Sequence, residues 1–545
     1  MFKDCEARGM NKHPGLLLLA TFSLVTVALL ASSHIQAAGV ERDNNRITLA
    51  LQSEPPNLDS SLVQDTTSGS ILVLIQEALV RVSPRGEILP GVAERWEVSD
   101  REIIFHLRED AHWQDGQPVT AHDFVFAWRR LVTPATGAAG SAFFAYVLDN
   151  AEAILRGEKP PTALGVEAVT DNTLKVTLSQ PAPYALNVFS GNPYAPQRED
   201  FVKAQAGRYG AEAENLLANG PFIMESWVHN ASIVLRKNPH YWNRDEISLD
   251  GINVGYITSD VRSLLNVYKS HELAALRLSE EILGDAVDSG LRVKKAPTNC
   301  LAWLNLNMQP GRITANRKVR EAIRLAFDRD RYVNNIVGLP GTRKIDSVFT
   351  RRIRGVNSNF QREFPATPIE FNIEKGRQLI AEVKQEMGIE ALPPIILLAN
   401  ETRQIEAEFL QAQLGSALGI EIRIDKQTFK QAIAKMYAHD FDIARAGFCS
   451  GSITDPVFFA GVFVTDGPYN STDYRNPAYD RLMAITHSTA DQKTRMDAFG
   501  QLQQLLHDDI PLIPSHESSY VYLQSDEVDG LWRYPAVNFS RGYIE

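Results

Sequence analysis

The sequence predicts a mixed α/β protein built from more than one domain. Three observations carry that reading. The chain has 545 residues, several times the ~100–200 that one compact domain takes. Its early part contains short runs that alternate apolar and polar residues, the pattern of half-buried antiparallel strands. Its second half contains strand, amphipathic helix and strand in direct succession, the pattern of a parallel crossover unit.

The elements follow in chain order. Lys12 and His13 precede an apolar run from Leu16 to Leu30, and Ala31, Ser32 and Ser33 follow it. Residues 1–38 therefore read as a secretory signal peptide ending near Gln36-Ala37-Ala38, with an uncleaved N-terminal anchor as the alternative. No cysteine stands at the expected cut for a lipoprotein anchor, and Met10 is an alternative start to Met1. Ile103, Phe105 and Leu107 alternate with their neighbours, as do Leu174, Val176 and Leu178, and both runs read as strands. Thr120 followed by Asp123 reads as the capping box of a helix through Phe124 and Trp128. Val319, Ala322, Ile323, Ala326 and Phe327 share one helical face, which reads as core. Ile395–Leu398 is a continuous apolar run after two prolines. Leu410, Leu414, Ala417 and Leu418 then keep helical spacing up to Gly419, and Ile420, Ile422 and Ile424 alternate with charged residues.

Composition narrows the function. Acidic side chains number 66 against 55 basic ones, a formal net charge of −11. That balance argues against a nucleic-acid partner, which needs a basic face to displace counterions. Hydrophobic residues at 44% and charged residues at 22% fit a folded soluble protein and not a membrane-embedded body. Cys5 lies in the segment to be removed, leaving Cys300 and Cys449. In an oxidising compartment two cysteines suggest one disulfide, with two separate buried thiols as the alternative. No nucleophile elbow, phosphate loop, dinucleotide fingerprint or zinc-protease motif occurs. His516-Glu517 begins like a zinc helix, but Tyr520 stands where the second histidine belongs. No enzyme, metal or cofactor is expected.

One set of motifs reaches further. Leu89-Pro90-Gly91-Val92-Ala93-Glu94-Arg95-Trp96, Ile104-Phe105-His106-Leu107-Arg108 and Trp113-Gln114-Asp115-Gly116-Gln117-Pro118-Val119-Thr120 come first, with Asp123-Phe124 after them. Asn219-Gly220-Pro221-Phe222, Asn238-Pro239-His240-Tyr241-Trp242, Val319-Arg320-Glu321-Ala322, Asp442-Ile443-Ala444-Arg445-Ala446-Gly447-Phe448-Cys449 and Pro511-Leu512-Ile513-Pro514 follow in order. Across nearly the whole mature chain this resembles the extracytoplasmic oligopeptide-binding proteins of ABC importers (family 5 solute-binding proteins). The resemblance implies a two-lobed, three-domain periplasmic-binding-protein-like fold of type II, with mixed sheets and a hinge. Residues 39–77, 197–298 and 516–545 would form domain I, residues 78–196 an inserted domain II, and residues 299–515 domain III. It also implies a periplasmic monomer that hands its ligand to membrane permease and ATPase subunits, which hydrolyse the ATP.

The same resemblance suggests ligand residues. The stretch Arg445, Gly447, Phe448 and Cys449 would line the cleft and offer its backbone to an extended peptide, with Ser450 and Gly451 next to it. Phe429 and Phe143 match further cleft aromatics, and Cys300 would bridge to Cys449. Core packing is the alternative for each aromatic, a structural ion pair for Arg445, and a surface position for Arg277. One departure stands out. Peptide-binding relatives carry an aspartate two residues after the cysteine, partner to the peptide amine, and here that position is Gly451. Asp455 is the nearest replacement acid, while Arg277 would favour a carboxylate over an ammonium. The expected function is oligopeptide capture. The alternatives are a same-family receptor for a cell-wall peptide, an amine-blocked peptide or another acidic solute, and, more distantly, a secreted hydrolase.

Overall fold

The computed structural model describes residues 38–83, 87–138, 140–145, 147–451, 453–531 and 538–545, without the side chains of Ala142 and Phe143. Residues 1–37 of the expected signal peptide and the side chain of Phe143 thus lie outside the described residues.

Two smaller sheets follow the alternation in the sequence. In Glu102–Leu107 the side chains of Ile103, Phe105 and Leu107 are buried and the intervening ones half-buried. This strand is second in a four-stranded antiparallel sheet, between Ala93–Val98 and Thr173–Thr177, with Val166–Thr170 outermost. Leu178 falls just beyond its expected strand, in an isolated bridge to Leu148. Helix α1 (Ala121–Val132) opens on the capping box of Thr120 and Asp123. The Thr120 N–H donates to Asp123 Oδ2 at 2.8 Å, and Trp113 Nε1 donates to the same oxygen at 3.2 Å. The other small sheet joins distant segments. Arg46–Leu51 pairs antiparallel with Val40–Glu41 and parallel with Gly251–Ile257, and Ser232–Lys237 and Phe222–Val228 complete it. The whole four-stranded sheet is therefore inserted between two partners of one ladder.

The largest sheet carries the candidate site. Its strands are β1 (Ala275–Arg277), β2 (Lys294–Leu306), β3 (Ile395–Asn400), β4 (Ile422–Gln427), β5 (Ile443–Cys449) and β6 (Leu512–Gln524), in the order β1-β6-β2-β5-β3-β4. Arg343–Lys344 adds a short antiparallel partner to β6. Helices α2 (Glu280–Asp288), α3 (Arg317–Ala326), α4 (Gln404–Leu418), α5 (Phe429–Tyr437), α6 (Pro477–Ser488) and α7 (Gln492–Asp509) belong to this half of the chain. α3 starts where the Asn316 side chain accepts from the Lys318 and Val319 amides, and it buries Val319, Ala322, Ile323 and Ala326. Phe327 ends the helix in extended conformation yet stays in the core. The expected crossover unit is present: β3 and β4 pair in parallel, Ile395 opposite Ile422, with α4 between them and Gly419 in the left-handed conformation at its end. His516 and Glu517 lie in strand β6, not in a helix. His516 and Tyr520 consequently lack the one-turn helical spacing that a zinc pair of that kind uses. Among the described residues no helix is long and apolar enough to cross a membrane.

One apolar cluster crosses between the two halves. Phe105, Trp128, Tyr184 and Phe189 belong to it together with Trp303, Phe458, Phe499 and Leu512. Polar contacts reinforce the seam: Tyr184 Oη and His487 Nδ1, on α6, lie 3.0 Å apart, and the Arg495 guanidinium, on α7, sits 5.3 Å from the Tyr184 ring centre.

Cys300 and Cys449 stand opposite each other in the β2–β5 ladder and are joined by a disulfide that spans 149 residues of sequence. In the chain-entropy picture a loop of that size contributes about 5 kcal/mol. Thiol labelling of the denatured, unreduced protein is expected to leave both cysteines unmodified. Reduction is expected to lower the urea midpoint without changing far-UV dichroism at zero denaturant. Two reactive thiols from these positions would exclude the bridge.

Candidate ligand-binding site

Strand β5 is paired unequally. On one side β2 matches it from Ile443 to Cys449. On the other, β3 reaches only Ile443 and Ala444, opposite Leu397 and Leu398. From Arg445 to Cys449 the outer edge has no strand partner among the described residues, so its amides and carbonyls stand available for an added strand. Arg445, Gly447 and Cys449 share one face, on which Gly447 and Cys449 are exposed. A β-carbon at Gly447 would come within 2.5 Å of the Leu301 carbonyl oxygen, so only glycine lets β5 approach β2 this closely.

The opposite face of β5 is packed. Phe448 makes edge contacts with Phe459 and Tyr469, at ring separations of 5.8 and 5.7 Å. With Trp303, Met436 and Tyr437 it lines a cavity of about 30 Å³, room for one water. Phe429 is half-buried at the start of α5, behind the capping box of Thr428 and Gln431. Ser450 is held in place: its amide donates to the Asn299 carbonyl at 3.1 Å and its hydroxyl accepts from Asn299 Nδ2 at 2.6 Å. Gly451 follows with φ +57° and open space around its α-carbon. Asp455 is not an open acid. Its carboxylate accepts from Arg495 Nη2 at 2.9 Å and from the Val457 amide at 3.0 Å, and Arg495 is fully buried. Asp455, the acid expected to replace the missing aspartate at Gly451, is thus paired with a buried arginine.

Arg445 leads to a group that the sequence reading missed. Its Nε donates to Glu406 Oε2 at 3.1 Å, Arg403 Nη1 donates to Oε1 at 2.7 Å, and the Tyr332 hydroxyl donates to Oε2. Glu406 is 1% exposed. Burial pushes its carboxyl up, but Arg445 and Arg403 outweigh burial and hold it far below the usual carboxylate range. The signal was present: Glu406 precedes Leu410, Leu414 and Leu418 at helical spacing, a charge on the buried stripe of α4. His516 lies beside this cluster, with its ring 6.1 Å from Tyr332. Burial first, then Arg445, pushes its pKa down to about 3, so it is neutral at neutral pH. His487 is likewise lowered to about 3, by burial and then by Arg495.

Two outcomes follow. Glu406→Gln leaves two arginines without their carboxylate and is expected to cost about 3–5 kcal/mol in urea unfolding. A loss below 1 kcal/mol would contradict the shared ion pair. For His516 and His487 the folded pKa lies below the free value near 6.5, so the unfolded chain takes up protons first as pH falls. Stability is complete above pH ~6.5 and falls by about 1.4 kcal/mol per pH unit per histidine on the way to pH ~3. Melting curves over that window should show this slope, and His516→Gln should make it shallower.

Comparison with known proteins gives the family. The profile of the bacterial extracellular solute-binding proteins, family 5 (middle region), matches residues 87–471. The dipeptide-binding protein DppE of Bacillus subtilis (strain 168) is 30% identical over 503 residues, 91% of this chain and 90% of that protein. The periplasmic oligopeptide-binding protein OppA of Salmonella typhimurium is 30% identical over 506 residues, 90% of this chain and 91% of that protein. The solved structure of Listeria monocytogenes OppA bound to peptide superposes with a TM-score of 0.86 at 26% identity, covering 92% of this chain and 99% of that one. The chain belongs to the bacterial extracellular solute-binding proteins, family 5.

Proposed function

We propose that this protein is the binding receptor of an ABC importer, capturing peptides in a cleft and passing them to membrane permease and ATPase subunits. The observation that carries the reading is the open edge of β5 from Arg445 to Cys449. An extended peptide added there gains main-chain hydrogen bonds that do not depend on its side chains. The relatives named as dipeptide- and oligopeptide-binding support the ligand class. The protein binds and does not catalyse; it is exported to the periplasm by residues 1–38 and works as a monomer.

The reading includes a hinge between domain I (residues 39–77, 197–298 and 516–545) and domain III (residues 299–515), with residues 78–196 as domain II. Its support lies in β2 and β6, the two long strands that cross this division. Their pairing runs from Lys294 opposite Tyr522 to Pro297 opposite Ser519, then resumes at Leu301 opposite Glu517. Thr298, Asn299 and Cys300 together face Ser518 alone. Such a bulge bends the strands and loosens the ladder at the proposed hinge.

The ligand amine meets no carboxylate after Cys449, since Gly451 offers none and Asp455 is occupied by Arg495. Charge-assisted hydrogen bonds are about twice as strong as neutral ones. N-acetylation of a bound peptide is therefore expected to weaken binding by less than about tenfold, or ~1.4 kcal/mol. Mass spectrometry of the co-purifying ligand supplies the peptide, and calorimetric titration with and without the acetyl group gives the ratio. Recovery of only non-peptide ligands would refute peptide capture, and a thousandfold loss on acetylation would show that another acid holds the amine.

A further inference from the structure

Tyr184 belongs to the inserted segment of residues 78–196 and stands just before the short helix Ala185–Val188. Its hydroxyl shares a hydrogen bond of 3.0 Å with His487 Nδ1, at the end of α6. Both residues are buried. Against the Tyr184 ring lies the Arg495 guanidinium, 5.3 Å from the ring centre. That guanidinium is held from its own side of the seam. Its Nε donates to the Thr486 carbonyl at 2.9 Å, and its Nη2 pairs with Asp455 Oδ2 at 2.9 Å. Helix α6, helix α7 and the turn that follows β5 thus build one receptacle, and a tyrosine from the insertion fills it.

Chain connectivity decides what this contact resists. The insertion leaves and rejoins domain I at residues 77 and 197, whereas neither the chain nor the Cys300–Cys449 bridge joins it directly to domain III. Buried polar bonds also tie it to domain I. Arg130, on α1, donates to both carboxylate oxygens of Asp59, at 2.8 and 2.5 Å, and Asp59 is 2% exposed. Asn192 Nδ2 donates to the Gly69 carbonyl at 2.9 Å. With the hinge placed as proposed above, the insertion travels with domain I. Opening then parts it from α6 and α7 and draws Tyr184 out of its seat.

We infer that Tyr184, seated between His487 and Arg495, is a latch that favours the closed arrangement whether or not a ligand is present. Such a latch presupposes the hinge of the receptor reading and adds a closing force that no ligand contact supplies. In the open form water takes the place of each partner, so the net gain is that of one hydrogen bond and one cation–ring contact. The latch acts on the open–closed equilibrium and not on the ligand. It therefore raises apparent affinity for every ligand by the same factor.

Double electron–electron resonance reads the two arrangements from spin labels on cysteines placed at exposed Val169, in the insertion, and exposed Met387, in domain III. The protein is stripped of ligand by unfolding and refolding with its native disulfide intact, and tetra-alanine and tri-lysine are the added ligands. Without ligand the unmodified protein is expected to show two distances, one of them the distance found with peptide bound. Tyr184→Phe keeps the ring against Arg495 and removes the hydroxyl; it is expected to lower the closed-to-open ratio about fivefold. His487→Leu should lower it similarly, and the double variant no further than either one. In calorimetric titration Tyr184→Phe should weaken both peptides by one common factor. An unchanged distance ratio in Tyr184→Phe overturns the latch, as does a double variant whose losses multiply. A closed fraction that appears only with ligand overturns it as well. Unequal losses for the two peptides make Tyr184 a ligand contact, and a lowered melting temperature with an unchanged ratio makes it a structural tyrosine; either result overturns the latch. One distance in every sample refutes the hinge and the latch with it. If neither peptide binds while Tyr184→Phe still shifts the ratio, the peptide reading fails and the latch stands.

Discussion

Everything at the site depends on β5 being held firmly along one edge and left open along the other. β2 pairs with it over its full length, and Gly447 permits the close approach to Leu301. The Cys300–Cys449 bridge closes the same ladder at its far end. A strand fixed in this way presents its outer amides and carbonyls at a constant spacing. Because an added strand pays little reorganisation cost on such an edge, main-chain pairing yields affinity over many side-chain sequences.

The apolar seam takes in β5 as well, through Ala446 and Phe448. Residues from the four-stranded sheet and α1 share one cluster with residues of α6, α7 and β6. Hydrophobic burial is non-directional, so such a seam fixes proximity better than orientation. Tyr184, His487 and Arg495 supply the direction, and Arg495 in turn fixes Asp455 near the turn that follows β5. The seam and the turn that follows β5 are thus joined through one fully buried arginine. Burying that cation is tolerable only because Asp455 accompanies it.

Electrostatics inside the cleft follow from one misplaced-looking acid. Glu406 occupies the apolar stripe of α4, where leucines would pack as well, and it is charged because two arginines and a tyrosine surround it. Arg445 consequently does not project freely toward a ligand; its position is set from beneath by Glu406. Burial first, and then Arg445, leaves neighbouring His516 neutral.

Sequence alone determined the regular parts. Period-two alternation gave Glu102–Leu107 and Thr173–Thr177, the capping box gave the start of α1, and helical spacing with Gly419 gave the β3–α4–β4 unit. These patterns are legible because they arise from contacts a few residues apart and from which face meets the core. The motif order made the family resemblance legible too, and with it the Cys300–Cys449 pairing. What only the tertiary structure decided are the long-range choices: which acid neutralises Arg445, whether Asp455 is free, and where β3 stops pairing with β5. Glu406 is 39 residues from Arg445, and Asp455 is 40 from Arg495. No local pattern specifies such partners, because an ion pair depends on distance in space and on desolvation, neither of which is written in spacing along the chain.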